Sequence, residues 1–233
     1  MSIFAISDLH LAYSVYKPMD VFGGRWNNYM EKLKTEWINC VSDKDTIIIP
    51  GDISWATYLE QTYEDFKFID SLPGMKIISK GNHDYWWTTI KKLEKYIEDN
   101  CLKSIKFMYN NYYEIENTFI CGTRGWNCPG EDNFSAEDRK IYLREVQRLE
   151  LSLKSTGNKG GQEIITAMHY PPFNPKGDKS DFIDIMKRYN VKTCIYGHSH
   201  GESCKNAIIG EVEGINFICV SADNLNFKPL KLK

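Results

Sequence analysis

Met75-Lys76-Ile77-Ile78-Ser79-Lys80-Gly81-Asn82-His83-Asp84 is the stretch on which the reading of this chain turns. A largely apolar run, Met75–Ser79, breaks at once into an amide, an imidazole and a carboxylate. That is the pattern of a buried strand delivering polar groups to its carboxyl end. Four other short stretches share its character: Asp8-Leu9-His10, Gly51-Asp52, His169, and Gly197-His198-Ser199-His200. The chain has 5 histidines, and all of them fall in these stretches. Imidazole is the commonest protein metal ligand and a frequent acid or base, so this confinement asks for a chemical reason.

Working outward, residues 3–7 read as a strand that ends in Asp8 and His10. A long connection, residues 11–30, follows without periodicity and carries Tyr13, Tyr16, Lys17 and Arg25. Loops of this length are often functional, and this one reads either as one wall of a pocket or as a surface excursion. Met30, Leu33, Trp37 and Val41 recur at helical spacing. Thr46–Ile49 is a β-branched run closed by Pro50. Leu59, Tyr63 and Phe66 suggest a second helix, and Trp86, Ile90, Leu93 and Ile97 a third, starting directly behind Asp84. Three strand–motif–helix units in succession predict an α/β layer fold with a largely parallel sheet, whose ligands gather at the carboxyl ends of strands.

The middle of the chain changes character. Residues 105–109, 112–115 and 118–122 read as a meander in which direction reverses, the start of a second sheet. Ser135 followed by Glu137 and Asp138 is a helix start, and Gly157–Gly161 is expected to end that helix. Within it, residues 139–148 mix arginines with Glu145 and read as a solvated face. Residues 163–168, 193–196, 207–210 and 215–220 complete the strands, with a helix on Phe182, Ile185, Met186 and Tyr189. No repeat or linker interrupts residues 1–233, which predicts a single domain.

Composition excludes several classes. A net charge of −2 exerts no long-range pull toward nucleic acid or an anionic membrane. No apolar run approaches the roughly 20 residues that cross a bilayer. The opening residues lack the basic and apolar regions of a signal peptide, and the expected location is cytoplasmic. Seven cysteines without a C-x-x-C pair read as buried free thiols.

Asp, His and Asn without cysteine make a nitrogen–oxygen site, suited to Mn, Fe or Zn and too rich in imidazole for calcium. The donors exceed what one metal needs, so two divalent ions are expected, with Asp52 as the natural bridge. Such a pair activates a water and clamps both oxygens of an in-line displacement at phosphorus.

The ordered set Asp-x-His, Gly-Asp, Gly-Asn-His-Asp, His, Gly-His-x-His resembles the calcineurin-like metallophosphoesterase superfamily, in the manner of a bacterial-type phosphohydrolase. The resemblance runs from Asp8 to His200. It implies a four-layer α/β/β/α sandwich of two mixed β-sheets flanked by helices. It implies that Asp8, His10 and His200 hold one metal, that Asn82, His169 and His198 hold the second, and that Asp52 bridges. His83 then matches the histidine that contacts the phosphate and assists the leaving oxygen, and Asp84 its orienting carboxylate. The implied reaction is hydrolysis of a phosphate mono- or diester on a small substrate, by attack of a metal-bridging hydroxide. The alternatives are a nuclease or cyclic-nucleotide phosphodiesterase on the same scaffold, or a silent metal-binding scaffold. The absence of a basic stripe argues against duplex nucleic acid. Arg124 and Trp126, behind a strand, are added as expected substrate contacts, the first for a phosphate and the second for a ring.

Overall fold

The computed structural model describes residues 1–157 and 161–233. Two sheets form its centre. The first has the order β11-β1-β2-β3-β4, with β1 at Ile3–Ala5, β2 at Thr46–Pro50, β3 at Met75–Ser79, β4 at Ile105–Phe107 and β11 at Leu230–Lys231. Its strands are parallel except β11. The second has the order β5-β6-β7-β8-β10-β9, with β5 at Tyr112–Ile115, β6 at Thr118–Thr123, β7 at Glu163–Met168, β8 at Thr193–Tyr196, β9 at Gly210–Val212 and β10 at Ile215–Cys219. Only β5 and β9 run antiparallel to their neighbours there.

Residues of opposite parity along each strand enter different cores. Ile48 and Ile77 face the second sheet, where Ile120, Ile165, Ala167 and Ile195 meet them. Ile47, Ile49 and Ile78 face outward, against Leu33 and Trp37 of α1 (Tyr29–Cys40), Phe66 and Ile69 of α2 (Tyr63–Ser71) and Leu93 of α3 (Ile90–Asp99). The far face of the second sheet packs Phe119, Cys121 and Phe217 against α4 (Ala136–Lys154) and α5 (Asp181–Arg188). Strands buried on both faces read as continuous apolar runs, and the four-layer sandwich follows. Each fully buried Ile or Phe contributes roughly 1.5–3 kcal/mol relative to exposure.

The sheets are also stitched together at their carboxyl ends. Beyond β1, the Ser7 N–H donates to Val220 O (2.8 Å) and Ser7 O accepts from Ala222 N–H (3.0 Å). His169 Nδ1 reaches Pro50 O at 3.1 Å. Helix α4 begins as expected, with Ser135 and Asp138 forming a reciprocal capping box.

Several expectations need correction. The runs at 105–109 and 112–122 do not form one meander: β4 pairs with β3 in the first sheet, and reversal begins at β5. Helix α3 starts at Ile90, not behind Asp84, because the Trp86 indole is tied back to the Asp84 carboxylate (3.1 Å). Residues 207–209 are irregular; the strand is β9. Leu230–Lys231 of the C-terminal segment form β11, an edge strand on β1. Helix α4 ends at Lys154, and residues 158–160 of the stretch expected to end it lie outside the described residues. Glu145, read as part of a solvated face, is fully buried. All seven cysteines are free, but they are not all buried: Cys101 is exposed and Cys40 and Cys204 are half-buried, because these three lie outside the strands. No helix among the described residues is long and apolar enough to cross a membrane.

Lys76 is fully buried on β3, and its ammonium donates to Leu72 O and to Ser104 Oγ. Burial lowers its pKa to about 8, against the raising effect of the Asp70 and Asp43 charges. The unfolded chain therefore binds the extra proton between about pH 8 and the ordinary lysine value, and this group's contribution to stability recovers as pH rises through that window. Urea unfolding of the protein and of Lys76→Met at pH 7.5 and 9.5 tests this. The stability of the native protein relative to the variant is expected to rise with pH; a constant difference refutes it.

Candidate metal centre

Five strand ends converge on one place. β1 delivers Asp8 and His10, β2 Asp52, β3 Asn82 to Asp84, β7 His169, and β8 His198 and His200. Main-chain donors of one loop hold the next. Asp8 N–H donates to Gly51 O and His10 N–H to Asp52 O, both at 3.0 Å. His83 N–H donates to Asp52 Oδ1 (2.8 Å), and His198 N–H to the Asp8 carboxylate (3.0 Å).

These loops carry strain. Asp8, His10, Asp52 and His198 have φ of 58°, 47°, 53° and 69°. Left-handed backbone at a non-glycine residue costs roughly 1–3 kcal/mol and persists only where surrounding structure enforces it. Two glycines make room for carboxylates: a Cβ at Gly81 would overlap the Asp52 carboxylate, and one at Gly197 the Asp8 carboxylate.

The donor atoms fall into two groups. Ligand atoms of Asp8, His10 and His200 lie within 4.8 Å of one another, as do those of Asp8, Asp52 and His169. In the first group His10 Nε2 and His200 Nε2 approach to 3.3 Å, and His200 Nε2 lies 3.4 Å from Asp8 Oδ1. In the second, His169 Nε2 lies 2.6 Å from Asn82 Oδ1, with His198 Nδ1 2.9 Å from that oxygen. Asp52 Oδ2 lies between, 3.8 Å from His10 Nε2 and 3.5 Å from His169 Nε2.

The tautomers expose why this arrangement fits cations. His169 donates from Nδ1 to Pro50 O, so its Nε2 presents a lone pair to the Asn82 oxygen, itself an acceptor. His200 turns Nδ1 to Asp223 Oδ1 (3.1 Å), leaving Nε2 to face Asp8 and His10. Acceptors converging at such distances are reconciled by a positive ion between them, and the outer partners hold each ring in its ligating orientation. The residues fit divalent metal.

Charge says the same. Asp8, Asp52, Asp84 and Asp223 are all buried. Burial raises Asp52 well above the usual carboxylate range, and the Asp84 and Asp8 charges add to it. Burial would lower His200, but the Asp223 and Asp8 carboxylates outweigh it and push the imidazole up to about 10. Burial also opposes ionisation of Asp8, yet the His200 hydrogen bond and the nearby imidazoles hold its pKa below normal. A proton on His200 thus stands where a cation balances the cluster.

Asp84 departs from expectation. Its carboxylate does not hold His83. It accepts the N–H groups of Gly81 (2.7 Å), Asp52 (2.9 Å), Ile53 (2.9 Å) and Ser54 (3.4 Å), and the Trp86 indole. The buried Nδ1 of His83 has no partner among the described residues, and burial lowers its pKa, the opposite of what an adjoining carboxylate does. Aromatic rings position His83 instead: Trp55 lies 4.6 Å from its centroid and also stacks on His10 at 4.8 Å.

Trp55 and Asp223 were not foreseen. Asp223 had a signal: it follows the last apolar strand, as the other acids do. Of the 11–30 connection, Tyr13, Tyr16, Lys17 and Arg25 are exposed, whereas buried Trp26 meets the edge of His10 (5.8 Å). Lys17 lies 4.5 Å over the Trp55 ring. Arg124 and Trp126 stand farther out. The Arg124 guanidinium lies 4.5 Å over the Trp126 ring, whose indole N–H donates to Asp138. Trp126 contacts Tyr170 (5.1 Å), and Tyr170 in turn lies on His198 (4.2 Å).

Solved structures similar to this one include a protein of unknown function from Aquifex aeolicus, 19% identical, covering 99% of this chain and 95% of that one with a TM-score of 0.53. A phosphopantetheinyl hydrolase from Mycobacterium tuberculosis is 16% identical, with 94% and 88% coverage and a TM-score of 0.53. A protein from Thermus thermophilus is 12% identical, with 85% and 81% coverage and a TM-score of 0.51. At these identities the likeness is one of fold. No curated protein matches the chain significantly. The family model for calcineurin-like phosphoesterases matches residues 1–202, a span that takes in every strand end described above. With its two mixed sheets and its converging Asp and His side chains, this chain belongs to the calcineurin-like phosphoesterase family.

Proposed function

We propose that the chain is a two-metal hydrolase of phosphate mono- or diesters on small substrates. One observation carries this reading: the Asn82 side-chain oxygen and ring nitrogens of His169 and His198 converge beside buried Asp8 and Asp52, next to a half-buried His83 whose Nδ1 has no partner among the described residues. Asp8, His10 and His200 would hold one ion, Asn82, His169 and His198 the other, and Asp52 both. The nitrogen and oxygen donors suit Mn, Fe or Zn. Such ions supply a water activated at neutral pH and neutralise charge at phosphorus.

The remaining roles belong to the chain. His83, its ring packed on Trp55, donates to a phosphoryl oxygen and to the departing oxygen. Asp84 positions the loops carrying Asp52 and Asn82. A cleft of about 730 Å³ beside His198 and Tyr170, lined by Asn127, Asn174, Ser199 and Ser203, receives the rest of the substrate. That mixed polar lining, without a row of cations, favours a small molecule over duplex nucleic acid. Seven free thiols accord with a cytoplasmic location.

Protein loaded with Mn²⁺ is expected to hydrolyse 4-nitrophenyl phosphate or its bis(4-nitrophenyl) diester, and a chelator to abolish this; turnover indifferent to metal removal sinks the reading. Asp52→Asn is expected to lose metal and activity together. His83→Ala is expected to keep its metal while kcat falls about 10²–10⁴-fold; a fully active variant removes His83 from its role.

Asp223→Asn tests the outer hold on His200. Its affinity for Mn²⁺ by calorimetry is expected to fall about 10–100-fold. Unchanged affinity would leave Asp223 without a part in the centre.

A further inference from the structure

A second concavity, of about 220 Å³, lies where β3, β4 and β6 end beside α4. Its charged lining is Lys80, Arg124, Arg144, Arg148 and Glu145, four cations against one carboxylate. Glu145 is already engaged: it accepts from the Thr123 hydroxyl and from Arg148 Nη1, both at 2.6 Å, and meets Arg124 Nη2 at 3.5 Å. Arg124 Nε is buried and has no acceptor among the described residues. Among the described residues, no carboxylate lies within ion-pair distance of Lys80 or Arg144.

This is an unbalanced arrangement. Buried donors are normally satisfied, and the half-buried cations Lys80, Arg124 and Arg148, with the exposed Arg144 beside them, repel one another. An oxyanion relieves both, and guanidinium forks match the geometry of phosphate oxygens. Two of its lining residues are joined through the backbone to the loops of the candidate metal centre. Lys80 stands two residues before Asn82, and Arg124 O accepts the N–H groups of His169 (3.0 Å) and Tyr170 (2.9 Å).

We propose that this concavity binds a second phosphate of the substrate while the scissile ester lies at the metal centre. The substrate class is then a small molecule carrying two phosphate groups. This rests on the phosphoesterase reading above.

A series of alkanediol bisphosphates of increasing length, each compared with its monophosphate, tests the proposal on the Mn²⁺-loaded protein. At one spacer length the bisphosphate is expected to be preferred about tenfold in kcat/KM, mainly through KM. The double variant Lys80→Gln, Arg144→Gln is expected to lose that preference and keep monophosphate turnover within about twofold, since Glu145 retains its partners. Absence of any preference, or its survival in the double variant, overturns the second-phosphate subsite and leaves the phosphoesterase reading standing. Failure to hydrolyse any monophosphate would instead strike that reading. The subsite is then judged by calorimetry with inorganic phosphate on metal-free Asp52→Asn protein. Binding that disappears with Lys80→Gln, Arg144→Gln supports it, and binding that is absent or unaffected overturns it.

Discussion

The Asp84 carboxylate is the tie on which the rest of the centre depends. Completely buried, it gathers four main-chain N–H groups and an indole N–H from the ends of β2 and β3. Burial drives its pKa up to about 6, and the backbone donors restrain that rise. The tie brings Gly81 against Asp52, where only a residue without Cβ fits. It also leaves the His83 ring unclaimed by any carboxylate.

Around this tie the fold concentrates negative charge and acceptor atoms at one edge. Parallel strands all present their carboxyl ends on the same side, so loops distant in sequence meet there. The first sheet brings Asp8, His10, Asp52 and Asn82, and the second His169, His198 and His200. The Ser7–Val220 and His169–Pro50 hydrogen bonds close the seam between them. Four strained loop residues and four buried carboxylates are tolerable because the apolar layers beneath, with Ile48, Ile77, Ile165 and Ile195 at their centre, hold the strand ends in place. Divalent cations are the species that this concentration of charge calls for.

Much of the fold was legible. Apolar runs of Thr46–Pro50, Met75–Ser79 and Glu163–Met168 end in polar residues because strands buried on both faces must place their polar groups at the ends. The helix start at Ser135 was legible because a capping box is a local motif. Local pattern misled elsewhere. Trp86 has helical spacing to Ile90 yet is held in a loop by Asp84, and residues 105–107 pair with β3 and not with the strands that follow. The mixed charges of residues 139–148 conceal a buried Glu145, because charge alternation does not reveal which turn of a helix crosses a strand end.

The residues that gather at the centre were legible from the chain alone: Asp8, His10, Asp52, Asn82, His169, His198 and His200 are written in five strand-ending motifs. The packing of the two sheets sets which imidazole nitrogens turn inward, makes Asp84 brace two loops and not His83, brings Asp223 to His200, and places Lys80 and Arg124 in one basic concavity. Those outcomes depend on hydrogen bonds and charge contacts between segments far apart in the chain, whose distances are set by how the two sheets pack.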